Sequence, residues 1–210
     1  MARFKKKGDP SSLSGLIGDV VVVSGGVLRS RPRRTKKKPT ANEQHNQSKF
    51  ALVGAFIEPF YPFMKAHFKD LQGKKTARDA IRSYHLLNAT LEEAGGFAIN
   101  YPKVLMSCGR LQGLHATEVL LEESSLTVVW QNNSLQALAS TTDLLSIIAF
   151  NATAGEAHFF ENCAARGDGQ VVLTFPEYFL TGQVHLWGTF EDPTTGDVAN
   201  SIYLGLIEGE

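Results

Sequence analysis

The stretch Val184-His-Leu-Trp-Gly-Thr-Phe190 decides how the second half of the chain reads. Val184, Leu186, Gly188 and Phe190 alternate with His185, Trp187 and Thr189. A period of two is the mark of a strand with one face on a core and the other toward solvent. Trp187 falls on the polar side and is expected as a surface contact residue. Outward from this strand, β-prone runs alternate with turn residues: Tyr101–Cys108, Ala116–Leu121, Leu126–Gln131, Leu144–Phe150, Ala157–Asn162, Val171–Phe175 and Val198–Ile207. Gly167-Asp168-Gly169 and Pro193-Thr-Thr-Gly196 read as turns between them. Short strands at this density predict an antiparallel β-sandwich, immunoglobulin- or fibronectin-like, over residues 97–210. Trp130 is expected as its inter-sheet core aromatic.

Upstream, the period changes to that of helices, and residues 40–96 form a small helical segment in an α+β chain. Thr40 and Glu43 stand in the T-x-x-E relation of a capping box. Phe50, Val53, Phe56, Ile57 and Phe60 follow at helical spacing, and Pro59 and Pro62 end or kink the helix. Phe56, Phe60, Phe63 and Phe68 are expected as core between helices and sandwich. A second helix is predicted from about Thr76 to Glu93, stopped by Gly95-Gly96.

Residues 1–39 read as a basic arm. Val20–Val23 and Val27–Arg31 flank Gly25-Gly26, which predicts a β-hairpin. An isolated hairpin is marginal in water and needs a surface to dock on. In Arg31-Pro-Arg-Arg-Thr-Lys-Lys-Lys-Pro39, every side chain but those of Thr35 and the prolines is cationic, so no core can form there.

The formal net charge of zero conceals a gradient. Residues 1–50 carry 12 Lys/Arg against 3 Asp/Glu, residues 51–100 carry 6 against 5, and residues 101–210 carry 3 against 13. A cationic arm therefore precedes an acidic body. No uninterrupted apolar run approaches the length of a membrane-spanning helix, so no membrane span is expected. Met1–Lys7 is basic, but Asp9-Pro-Ser-Ser12 interrupts any signal-peptide apolar region, and Gly18 and Asp19 break the next apolar patch. A cytoplasmic protein or a virion or particle component is expected. Cys108 and Cys163 are too few for a disulfide framework. They read as reduced thiols, with a single cross-sheet disulfide as the alternative.

Catalytic signatures are missing from the sequence. The histidines at 45, 67, 85, 115, 158 and 185 form no i, i+4 pair and no H-E-x-x-H. There is no P-loop, G-x-S-x-G or dinucleotide-binding fingerprint. The acid pairs Glu92-Glu93, Glu122-Glu123 and Glu191-Asp192 lie beside glycine, serine or proline and read as solvated charges. No catalytic residue, metal, cofactor or small-molecule substrate is inferred.

The arm supplies the functional expectation. Val20, Val21, Val22 and Val23 could extend another sheet's edge. Arg29, Arg31, Arg33, Arg34, Lys36, Lys37 and Lys38 could meet an acidic sandwich, and charge would set the orientation. Docking on a neighbour would give a head-to-tail homo-oligomer, a filament, tube or phage-like particle, while docking on the same chain would not. The same tract, residues 29–38, could instead neutralise phosphates of nucleic acid, with no aromatics interleaved for base stacking. A solubilising tail without partner is the remaining alternative.

Several motifs occur in a characteristic order. Gly15-Leu-Ile-Gly18, Val27-Leu-Arg-Ser-Arg-Pro32 and a Lys-rich stretch precede Thr40 and Gln44 to Lys49-Phe50-Ala51. Then come Gly73-Lys-Lys-Thr-Ala77, Tyr84-His-Leu-Leu-Asn-Ala89, Ile99-Asn-Tyr-Pro-Lys-Val-Leu105 and Asn200-Ser-Ile-Tyr-Leu-Gly205. In this combination the chain resembles, over nearly its whole length, a bacterial domain-of-unknown-function family. Where that family tends to carry a W-basic-G turn this chain has Gly25-Gly26, and where it tends to read S-R-G this chain has Ser107-Cys108-Gly109. The resemblance implies no activity, cofactor or catalytic residue.

Overall fold

In the computed structural model, residues 3–4, 13–23, 27–31, 38–69, 76–122 and 125–209 are described. The chain divides into two compact units, Met1–Thr40 and Ala41–Glu210. The class is α+β, with mostly antiparallel sheets and a helical stretch running from Ala41 to His67.

The first unit holds β1 (Arg3–Phe4), β2 (Leu13–Ile17), β3 (Val20–Val23) and β4 (Val27–Ser30), in the sheet order β1-β2-β3-β4. The hairpin expected from Val20–Val23 and Val27 onward is β3 on β4, with Val20 opposite Ser30 and Val23 opposite Val27. Gly25 and Gly26 lie outside the described residues. A second hairpin escaped the sequence reading. Gly18-Asp19, taken as a break, connects β2 to β3 with Ile17 opposite Val20, and Gly18 takes a φ of +58°. Glycine adopts that left-handed backbone without steric cost.

In the second unit, α1 (Ala41–Ile57) passes through one 3-10 turn (Glu58–Phe60) into α2 (Tyr61–His67). Pro59 and Pro62 each sit in the first turn of their element, where a missing N–H breaks no bond. Val53, Phe56, Ile57 and Phe60 are buried as expected, but Phe50 is 54% exposed. Next comes α3 (Ala77–Asn88), capped by Thr76 Oγ1, which accepts from the Asp79 N–H at 3.2 Å. It ends earlier than predicted. Residues to Glu93 instead form β5 (Thr90–Glu93), paired with β6 (Gly96–Ile99). Glu93 lies opposite Gly96, so Ala94-Gly95 forms a hairpin turn rather than a simple helix stop. The run Tyr101–Cys108 is also not a strand. Pro102 sets a 3-10 turn (Tyr101–Lys103), and Cys108 makes only a single bridge to Phe68.

The remaining strands are β7 (Glu118–Glu122), β8 (Ser125–Val129), β9 (Leu144–Asn151), β10 (Glu156–Ala165), β11 (Gln170–Thr174), β12 (Gly182–Glu191) and β13 (Ile202–Gly209). They form one sheet in the order β10-β9-β12-β13 and a second in the order β11-β8-β7. The larger sheet lies between two cores. On one face Leu145, Ile147 and Ala149 of β9 and Val184, Leu186 and Phe190 of β12 pack with Leu126, Val128, Trp130 and Leu173 from the smaller sheet's side. On the other face Ile148, Phe150 and Trp187 pack with Val53, Phe56, Phe60, Met64, Phe68 and Ile81 from the helices.

This second core corrects the reading of Trp187. The residue has no exposed surface, and its indole N–H donates to the Tyr101 carbonyl at 3.3 Å. The alternation along β12 is real, yet the face read as solvated is roofed by helices. Edge-to-face ring pairs tie the roof to the sheet: Phe60 with Phe150 at 5.2 Å, Phe60 with Trp187 at 6.3 Å and Phe56 with Phe150 at 5.7 Å between centroids. Each such pair contributes about 0.5–1.5 kcal/mol beyond area burial. Trp187→Ala is expected to destabilise the fold by about 3–5 kcal/mol. Leu120→Ala, at an exposed position, is expected to stay within about 0.5 kcal/mol. Urea unfolding of both variants checks this.

Candidate functional site

β3 is an inner strand, bonded to β2 on one side and β4 on the other. Val20–Val23 therefore cannot extend another sheet's edge. The expectation fails because the Gly18-Asp19 hairpin supplies β3 with a second neighbour. Within the strand, Val22 is buried, Val21 and Val23 are half-buried, and Val20 is just exposed.

The arm's sheet, with β1 at one edge, ends at the other in the outer strand β4. All four of its residues are exposed, with Val27 at 55% and Leu28 at 68%. The chain continues along β3 for one more backbone bond, Arg31 N–H to the Asp19 carbonyl at 2.8 Å. Arg29, Arg31 and Lys38 are exposed, whereas Arg33, Arg34, Lys36 and Lys37 lie outside the described residues. An apolar edge strand thus leads directly into cations. The sequence reading named the valine run and passed over the exposed edge residues Val27 and Leu28; recognising Gly18-Asp19 as a turn would have shown that the valine run is paired on both sides.

The acidic character of residues 101–210 is carried at the surface. Glu118, Glu122, Glu156, Glu161, Asp168 and Glu208 are all exposed. Asp143 is the exception, fully buried against Arg166 with Nε to Oδ2 at 2.9 Å. Arg166 also donates to the Asn133 side chain and to the Gln112 carbonyl at 2.7 Å, and it lies 3.9 Å over the Phe190 ring. This pair cancels internally. Of the three basic residues in that region, only Lys103 and Arg110 face solvent.

The buried histidines are occupied in holding the fold. His67 bridges the Phe63 carbonyl at 2.8 Å and Glu191 Oε2 at 3.1 Å. His85 Nδ1 donates to the Ile81 carbonyl at 2.8 Å, and its Nε2 accepts from the Leu105 N–H at 3.3 Å. His185 stacks on Tyr101 at 3.6 Å and pairs with the Tyr203 hydroxyl at 2.8 Å, its Nε2 buried without a partner. Among the described residues, no group of three or more His, Cys, Asp or Glu could hold a metal ion. Cys108 and Cys163 are half-buried and not joined in a disulfide, and burial raises the Cys163 thiol to about 11. Among the described residues, no helix is long and apolar enough to cross a membrane.

Fold and surface together define an α+β protein with an acidic, mostly antiparallel β body and a cationic sheet arm. The chain belongs to a family of unknown function, DUF6266, whose model matches residues 13–205. That span covers β2, β3 and β4 of the arm and nearly all of the acidic body. No curated protein matches the chain.

Burial lowers the His185 pKa to about 4 and lowers that of His85 in the same direction. From about pH 6.5 down to 4 the unfolded chain binds protons that the native state refuses, so stability is complete above this window and falls within it. The expected loss through His185 is on the order of 2 kcal/mol at pH 4. Thermal unfolding followed from pH 7 to 4 checks the slope, and His185→Phe is expected to flatten it.

Proposed function

We propose that this chain is a non-enzymatic structural subunit that self-assembles, its basic arm docking on the acidic body of a neighbouring copy. The two larger sheets are read as an immunoglobulin-like β-sandwich, which offers outer strands to which another strand can add. One observation carries the proposal: β4 is an outer strand with exposed Val27 and Leu28, followed by exposed Arg29, Arg31 and Lys38. Exposed apolar edges are normally blunted, because they template pairing with another chain. Here the cations beside the edge repel a second arm and attract the acidic body, so charge selects the partner. Donor and acceptor surfaces differ, and a contact of that kind builds rings or open filaments.

The exposed cations also support a second reading, an accessory protein that neutralises nucleic-acid phosphates. Light scattering on the full chain across concentration separates the two. Mass is expected to rise with concentration, and Leu28→Glu is expected to raise the midpoint concentration about tenfold or more, equal to about 1.4 kcal/mol or more. A monomeric mass throughout, together with binding to generic DNA that falls steeply with salt, would favour the second reading.

A further inference from the structure

We infer that the acceptor for the neighbour's β4 is an open groove between the outer strands β7 and β13, an inference that rests on the self-assembly reading above. Among the described strands, β7 pairs only with β8, and β13 pairs only with β12. The two sheets therefore turn unpaired edges toward each other on this side of the body. Between them lies an open groove of about 360 Å³, lined by the aliphatic side chains of Val119, Leu121, Leu186, Leu204 and Ile207 together with Glu208. Its floor reaches the core, since Leu186 is fully buried and belongs to the inter-sheet cluster. An apolar cavity of about 150 Å³ already admits benzene, so the groove has room for a leucine side chain.

The register of β4 fits this acceptor. Successive side chains alternate faces, so a strand that inserts Leu28 turns Arg29 and Arg31 away from the groove. Glu208 of β13 stands in the lining itself, and the exposed Glu118 and Glu122 of β7 flank the lining residues Val119 and Leu121 along the strand. An apolar anchor in the groove with guanidinium groups over a carboxylate rim gives one direction and one register. The occupant is thus a second copy of this chain, chosen by charge complementarity.

Three full-length variants test the acceptor. Val119→Trp plugs the groove with an apolar ring, Glu122→Lys with Glu208→Lys reverses the rim without touching the floor, and Leu28→Glu disables the donor. Circular dichroism confirms that each is folded, and sedimentation velocity reads the mass. Each groove or rim variant alone is expected to assemble at least about tenfold more weakly than the unmodified chain. Mixed with Leu28→Glu, Val119→Trp keeps a working donor and Leu28→Glu a working acceptor, so the mixture is expected to form a one-to-one dimer and nothing longer. A mixture that stays monomeric overturns the groove as acceptor. So do groove and rim variants that assemble like the unmodified chain while Leu28→Glu does not, and in that case self-assembly through the arm stands. If Leu28→Glu also assembles like the unmodified chain, the underlying reading falls and takes this inference with it.

Discussion

The double burial of the sheet β10-β9-β12-β13 is the constraint on which the body depends. Its two central strands supply residues to both faces, Leu145, Ile147 and Ala149 to one core and Ile148 and Phe150 to the other. Backbone ladders on both sides of β9 and β12 satisfy the polar groups of those strands, so both faces can be dry. The helices and the smaller sheet need this sheet in turn, because each has one apolar face and no other surface in the body to bury it against. Charge is excluded from both cores except at Arg166 and Asp143, which neutralise each other. The acidic side chains are left on the rims and outer strands, and the proposed docking rests on that distribution.

Much of this arrangement was legible in the sequence. Seven of the β-prone runs became strands because period-two alternation reports backbone geometry directly. Trp130 was readable as inter-sheet core, and Phe56, Phe60, Phe63 and Phe68 as the contact between helices and sheet, because large aromatics without charged neighbours have few places to go. What alternation cannot report is what covers the second face. His185, Trp187 and Thr189 look solvated within their own strand, and only distant segments bury them: the helices over Trp187, Tyr101 and Tyr203 against His185, and Ser107 and Ala199 against Thr189. Tertiary contact likewise decided residues 90–99. Glu92, Glu93 and Gly95 fit a helix end, but Thr90 opposite Ile99 closes a hairpin there.

The arm shows the same division between local and non-local information. Its β-hairpin and its charge were local and readable. The strand order was not, since the identity of the outer strand depends on whether Gly18-Asp19 turns the chain or merely interrupts it. That one turn pairs the valine run on its second side, while Val27-Leu-Arg-Ser30 stays an outer strand. β4 itself runs straight into the cations, and the zero net charge divides between a basic arm and an acidic body, the division on which the proposed docking rests.

Amide hydrogen exchange on the full chain, measured below and above the concentration at which its mass rises, addresses the pairing of β4 itself. Backbone N–H groups of an outer strand exchange freely on the unpaired side, and strand addition protects them. The account predicts that protection at residues 27–31 rises with concentration, while exchange in β9 and β12 stays unchanged. Exchange at residues 27–31 that is the same at every concentration would contradict it.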